Sequence, residues 1–229
     1  MSASLILIPT PLNDELVIDH YARAFLDHAV SDLENSLILV EDHKPARRRW
    51  ISWGLDREVI TDFILFNEHT MKDIMEDIVS KLKSGKKAYL MSDGGLPAFC
   101  DPGSALIRRC HELGIKVTCS PFHNSISQAV ALSGFHCSEF HFFGFPPRKA
   151  HERSDFLQKI LRSETTSILM DTPYRLKKVL EEFKDIGLKK TIFLACDLNH
   201  SDERLYFGKV AKVLKDLEKD KSEFILIVE

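Results

Sequence analysis

Residues 92–104 read SDGGLPAFCDPGS, with three glycines, two prolines and two aspartates in thirteen positions. The stretch follows an apolar run, Ala88-Tyr89-Leu90-Met91, and precedes a helix-like one, Ala105-Leu106-Ile107-Arg108-Arg109-Cys110. Glycine permits close backbone approach and positive φ at little steric cost, and proline lowers the entropy lost on ordering. A strand, such a loop and a helix in succession belong to a parallel α/β sheet. The loop can present N–H and C=O groups to a flat, polar ligand. Asp93 and Asp101 are candidates to accept hydrogen bonds from ribose hydroxyls or an amine. The plainer alternative is a tight turn, with Asp101 capping a helix that has Pro102 at its first position.

The pattern outward from this loop repeats that order. Ser4–Ile8 reads as a buried strand stopped by Pro9-Thr10-Pro11, and Glu15–Val30 as a helix capped by Asn13 or Asp14. Ser36–Val40 is a second strand, Lys44–Trp53 a helix, and Glu58–Phe66 contains a third strand. Met71–Lys83 places Met71, Ile74, Met75, Ile78, Val79 and Leu82 on one helical face, and Gly85 follows as a C-terminal glycine should. A strand at Ala88–Met91, a helix at Ala105–Leu113 and a strand at Ile115–Cys119 complete this half. Short apolar strands alternating with helices predict a parallel sheet covered on both faces, whose ligands bind beyond the carboxyl ends of the strands. The loops Pro9–Pro11, Glu41–Lys44 and Ser92–Pro102 are therefore expected along one edge.

A break at Ser120-Pro121-Phe122-His123-Asn124 marks a boundary, dividing the chain into α/β domains at 1–119 and 120–229. The second half predicts helices at Ser125–Ser133, Glu152–Leu161, Tyr174–Phe183 and Ala211–Leu217. Strands are predicted at His141–Phe145, Ser167–Met170, Thr191–Cys196 and Glu223–Val228. Its shorter, less regular connections allow antiparallel pairing, so a mixed sheet is expected.

Composition narrows the function. The chain has 229 residues, 44% apolar and 28% charged, with a net charge of −3, which argues against strong non-specific nucleic-acid binding but permits a local basic patch. Five scattered cysteines form no CxxC pair or zinc-site spacing, so reduced thiols and no metal are expected. The N-terminus lacks a basic region and a long apolar run, and no stretch approaches the ~18 residues of a membrane span. A cytoplasmic protein with no membrane partner is expected. No Walker A motif occurs, and no GxGxxG follows the first strand; its Pro-Thr-Pro loop suits a ligand without a pyrophosphate.

Several stretches, in order along nearly the whole chain, resemble the tetrapyrrole methylase superfamily, and more closely its small-subunit rRNA (cytidine-2′-O)-methyltransferase I branch. Leu7-Ile8-Pro9-Thr10-Pro11-Leu12 resembles that branch's VPTPIGN, Glu41-Asp42 the start of EDTR, and Asn67-Glu68 the end of HNE. Ser92–Pro97 and Asp101-Pro102-Gly103 resemble SDAGTP and SDPG. Ser133-Gly134-Phe135 resembles SGLP, Phe143–Lys149 resembles FxGFLPRK, Pro173-Tyr174-Arg175-Leu176 resembles PHRL, and Glu223–Val228 resembles GEMVLIV. The resemblance implies two α/β domains, S-adenosylmethionine in the cleft between them, a homodimer, and the 92–104 loop as one wall of the cofactor pocket. By the same resemblance Pro9, Thr10, Pro11, Asp93, Gly94, Gly95, Pro97, Asp101, Ser125 and Pro173 would bind the cofactor.

Methyl transfer to a ribose hydroxyl profits from a base and from positioning. Glu41 and Asp42 are candidates for base or substrate anchor, and Arg175 for a phosphate clamp. Loop capping by the two acids and a helix-surface salt bridge for Arg175 are the alternatives. Lys44, Arg47, Arg48 and Arg49 form one basic cluster, and Arg148, Lys149 and Arg153 another, as candidate ligands of rRNA or of the small ribosomal subunit. Trp50 and Trp53 are expected in the core rather than stacked on bases. The chain departs from the pattern where the family's PGPSA is Pro121-Phe122-His123-Asn124-Ser125, EDTR is Glu41-Asp42-His43-Lys44, and ARELTK is Ala195–His200. By the same resemblance, the short C-terminal extension of many ribosomal members is expected to be absent. Beside rRNA 2′-O-methylation stand methylation of a tetrapyrrole or other small metabolite, and a non-catalytic relative that binds S-adenosylmethionine or RNA.

Overall fold

Side chains alternate across a strand, and in the first half both sets are apolar, so each strand needs cover on two faces. The computed structural model describes residues 3–229 except Glu15, Asp101, Pro102 and His123. The chain divides into two compact units, Met1–Phe122 and His123–Glu229.

The first unit contains β1 (Ser4–Ile8), α1 (His20–Ser31), β2 (Ser36–Val40), α2 (His43–Ser52), β3 (Ile64–Leu65), α3 (Met71–Lys83), β4 (Lys87–Met91), α4 (Ser104–Glu112) and β5 (Lys116–Cys119). Its sheet has the order β3-β2-β4-β1-β5, with every pairing parallel. Ile6, Ile8, Ile38, Val40, Tyr89 and Met91 pack with Ala22, Leu26, Ala46 and Trp50 of α1 and α2. Leu5, Leu37, Leu39, Ala88 and Leu90 face the other way, onto Ile78, Val79 and Leu82 of α3 and Leu106 and Cys110 of α4.

Two expectations here need correction. Helix α1 begins at His20 rather than Glu15, and Asp19 caps it by accepting from the Tyr21 and Ala22 N–H groups at 2.8 and 3.4 Å. Asp14 does not cap because it pairs with Arg48 and Arg49. Helix α4 begins at Ser104 with Gly103 as its cap, so proline is not at its first position; Asp101 and Pro102 lie outside the described residues. The stretch before β3 is a 3₁₀ helix, Arg57–Asp62, which leaves only two residues for the strand.

The second unit contains α5 (Ser125–Ser133), β6 (Phe140–Gly144), α6 (Ala150–Arg162), β7 (Thr166–Asp171), α7 (Leu176–Asp185), β8 (Ile192–Cys196), β9 (Arg204–Gly208), α8 (Val210–Asp216) and β10 (Phe224–Val228). A 3₁₀ turn, Pro173–Arg175, leads into α7. The sheet order is β6-β7-β10-β8-β9; β6 and β7 run parallel and the other pairs antiparallel. One face packs on α6, α7 and α8 through Leu169, Leu194, Leu226 and Phe183, the other on α5 through Ile168, Phe193, Ala195 and Ile227. Strand β9 was not expected. It is an edge strand with Leu205 and Phe207 exposed, and its apolar run, Leu205-Tyr206-Phe207, is only three residues long. Its turn from β8 holds Asp197 and Asn199 at φ 49° and 66°, residue types that tolerate the left-handed region.

Candidate functional site

In the first unit, the carboxyl ends of the strands draw the special loops together. Ile8 of β1 and Val40 of β2 both register with Met91 of β4, so the three loops leave the sheet at one level. Thr10 and Gly95 then pair in both directions, each N–H donating to the other's carbonyl at 2.9 Å. The Thr10 hydroxyl donates to the Ser92 carbonyl at 3.1 Å, and the Ser92 hydroxyl to the Gly95 carbonyl at 3.0 Å. Pro9, Thr10, Gly95 and Pro97 are buried by this arrangement, and Gly94 is exposed. A Cβ on Gly94 would meet no atom closer than 3.8 Å, so its backbone is open to approach.

Acid groups collect at the same edge. The Asp93 N–H donates to Glu41 Oε2 at 3.3 Å, and Asn67 Nδ2 donates to the Glu41 carbonyl at 3.2 Å. Burial pushes the Asp93 carboxyl up, and the charges of Glu41 and Asp42 add to this, raising its pKa to about 6. A hydrogen bond from the Asp42 backbone and the charge of Arg49 oppose the rise. Asp42 also accepts from the Lys44 N–H at 2.7 Å, capping α2, so the capping role is realised for this residue. Lys44 is exposed at the first turn of that helix.

The basic cluster on α2 is not one surface. Arg49 is buried: its Nη1 donates to the Pro11 carbonyl at 2.6 Å and its Nε lies 3.0 Å from Asp14 Oδ1. Arg48 also pairs with Asp14. Arg49 is thus a strut beneath the Pro-Thr-Pro loop. Trp50 and Trp53 are core residues, as expected, and Trp50 Nε1 donates to the Asp56 carbonyl at 2.7 Å.

In the second unit, Arg153 requires the clearest correction. It was expected to meet RNA, but its side chain is only 4% exposed. Its Nη1 donates to Asp171 Oδ2 at 2.8 Å and its Nε to Glu182 Oε2 at 2.6 Å. A guanidinium on the inward face of α6 must find carboxylates, and these come from β7 and α7. Asp171, which sequence reasoning did not single out, also accepts from Arg175 Nη1 at 3.4 Å and from the Thr172 N–H at 2.8 Å. Arg175 and Pro173 occupy the 3₁₀ turn after β7. Arg148 and Lys149 are exposed, with Lys149 paired to Glu152 at 3.1 Å. Ser125 opens α5, where Asn124 accepts from the Ser127 N–H at 2.9 Å. Asn124, which stands where the family's pattern has serine, therefore has a local role as helix cap.

The residues of the first unit's edge fit S-adenosylmethionine. Three carboxylates at one edge suit a cationic sulfonium and amino group and hydroxyl donors, and would repel a pyrophosphate. The Ser120 hydroxyl, just beyond β5, is buried with no hydrogen-bond partner among the described residues, and its N–H donates to the Leu7 carbonyl at 3.3 Å. Among the described residues no group of histidine, cysteine and acidic side chains is arranged for a metal, and no helix is long and apolar enough to cross a membrane.

Residues 6–214 match the model of the tetrapyrrole (corrin/porphyrin) methylases. Ribosomal RNA small subunit methyltransferase I of Thermotoga maritima is 32% identical over 188 residues, 82% of this chain and 82% of that protein. Its namesake in Mesomycoplasma conjunctivae is 29% identical over 229 residues, 100% of this chain and 92% of its own. The crystal structure of diphthine synthase covers 98% of this chain and 89% of its own, with a TM-score of 0.66 at 13% identity. That of uroporphyrin-III-C-methyltransferase from Thermus thermophilus covers 99% and 94%, with a TM-score of 0.55 at 14% identity; these two likenesses are of fold. The chain belongs to the tetrapyrrole methylase family and is a methyltransferase whose methyl donor is S-adenosylmethionine.

Proposed function

We propose that this protein methylates ribosomal RNA of the small subunit at a ribose 2′-oxygen, in the cytoplasm and as a homodimer. The observation that carries the substrate is the name shared by curated relatives that align along the chain, ribosomal RNA small subunit methyltransferase I. In this reading, which follows the family resemblance, Pro9, Thr10, Pro11, Asp93, Gly94, Gly95, Pro97, Asp101, Ser125 and Pro173 bind the cofactor. Bound S-adenosylmethionine supplies an electrophilic methyl group whose sulfur leaves as a neutral thioether. The chain's own task is to orient the ribose and take its proton as the oxygen–carbon bond forms. Glu41 is the candidate base, and Asp93, with a pKa of about 6, becomes charged near neutral pH, as a ligand of a cationic cofactor should. Glu41 also accepts the Asp93 backbone N–H and anchors the same loop. Asp42 serves the helix cap, and Arg175, Lys44, Arg148 and Lys149 take phosphates.

The test is methyl transfer from labelled S-adenosylmethionine to small ribosomal subunits and, separately, to tetrapyrroles. Methylation of the 2′-oxygen blocks alkaline cleavage at that nucleotide, so label recovered in an alkali-resistant dinucleotide is the expected result. Label in a base, or only in the small molecules, would refute the proposal.

A further inference from the structure

The Pro173–Arg175 turn in the second unit carries an arrangement that the fold does not need for its own packing. Tyr174 is 77% exposed, the second most exposed of the large hydrophobic side chains among the described residues. A proline-led turn holds it out, closed by the Arg175 N–H donating to the Thr172 carbonyl at 2.9 Å. The Lys221 ammonium lies 5.1 Å from the centre of its ring. Arg175 sits beside it, tied to Asp171, which the buried Arg153 also holds, while Glu182 holds Arg153 from the far side. Lys177 and Lys178 follow in the first turn of α7, the end of a helix where its dipole disfavours cations. Lys177 is held by Asp220 at 3.1 Å.

Resting on the reading of RNA as substrate, we propose that Tyr174 is a stacking platform for an unpaired base of that RNA, with Arg175 and Lys221 as cations for the flanking phosphates. An exposed ring bordered by cations is the combination that holds single-stranded nucleic acid, since every base has a π-face and every linkage a charge. Asp171 is a positioning residue. It keeps the Arg175 guanidinium in place and, through Arg153, is itself fixed.

The experiment is fluorescence anisotropy of a labelled ten-nucleotide single-stranded RNA over a range of salt, alongside methyl transfer to small subunits. Tyr174→Ala should weaken RNA binding about tenfold with the salt slope unchanged, because stacking releases no counterions, and Tyr174→Trp should restore it. Arg175→Ala should weaken binding and reduce the slope by about 0.7, the value for one phosphate of a single strand. Asp171→Asn should weaken binding alone but add nothing in the Arg175→Ala background, which a merely structural role would not produce. Thermal unfolding of Tyr174→Ala should match the parent, as so exposed a ring buries little. Wild-type affinity in Tyr174→Ala, or equal weakness in Tyr174→Trp, overturns the stacking role while subunit methylation persists. Absence of RNA binding and of subunit methylation by the parent protein would overturn the substrate reading as well.

Discussion

Gly103→Ala should destabilise the first unit well beyond the usual effect of removing a glycine. Gly103 caps α4 at φ 129°, a backbone region that side chains other than glycine rarely enter. A Cβ there would lie 2.8 Å from Leu90 Cδ2 and 3.1 Å from the Ala98 Cβ. Carbon atoms prefer about 3.5–4.0 Å, so one contact is short by most of an ångström. Neither neighbour recedes easily: Leu90 is buried in the central strand β4, and Ala98 is itself held at φ 64°. Backbone strain of about 1–3 kcal/mol and overpacking of about 1–3 kcal/mol give a loss of about 2–6 kcal/mol. Gly114, after the other end of α4, provides the control. It has φ 67° and no atom within 4 Å of its would-be Cβ, so alanine there bears backbone strain alone, about 1 kcal/mol. Urea unfolding followed by tryptophan fluorescence reports on this unit, because both tryptophans, Trp50 and Trp53, lie in it. A midpoint shift for Gly103→Ala no larger than that for Gly114→Ala would refute the steric argument.

The remaining expectations concern charge and core. The folded pKa of Asp93, about 6, lies above its ordinary 3.8, so the charged form is disfavoured in the fold and stability falls as pH rises between those values. Asp93→Asn should therefore gain stability relative to the parent from pH 4 to pH 7, by about 1 kcal/mol after solvent screening of a partly exposed group; a difference that does not vary with pH would contradict this. Methyl transfer by the parent should rise as pH passes through about 6 and Asp93→Asn should lose that step, as read from a pH–rate profile. Arg153→Met leaves Asp171 buried without its chief partner and should cost about 3–5 kcal/mol in urea unfolding, whereas loss of RNA affinity at unchanged stability would restore Arg153 to the surface role expected of it. Trp50→Ala should cost about 3–5 kcal/mol, since the ring is fully buried and its Nε1 bond to the Asp56 carbonyl is lost with it.

The alternation of Ser4–Ile8, Ser36–Val40 and Ala88–Met91 with amphipathic helices was enough to read a parallel sheet in the first half, because strands buried on both faces are apolar at every position. The same rule places the loops after β1, β2 and β4 on one edge, and the linear motifs within those loops name the family. Period and composition are local, and they survive in the sequence. What they do not carry is the direction in which a polar side chain turns. Arg48 and Arg49 are neighbours in the chain, yet Arg49 is buried beneath Pro11 while Arg48 remains exposed. Arg153 is indistinguishable in sequence from Arg148, yet only Arg153 meets carboxylates, and they stand 18 and 29 residues away. Strand β9 has only the short run Leu205-Tyr206-Phe207, and its pairing with β8 is what makes it a strand. Burying a charge is unfavourable unless an opposite charge is brought to it, and only the folded chain brings those partners together.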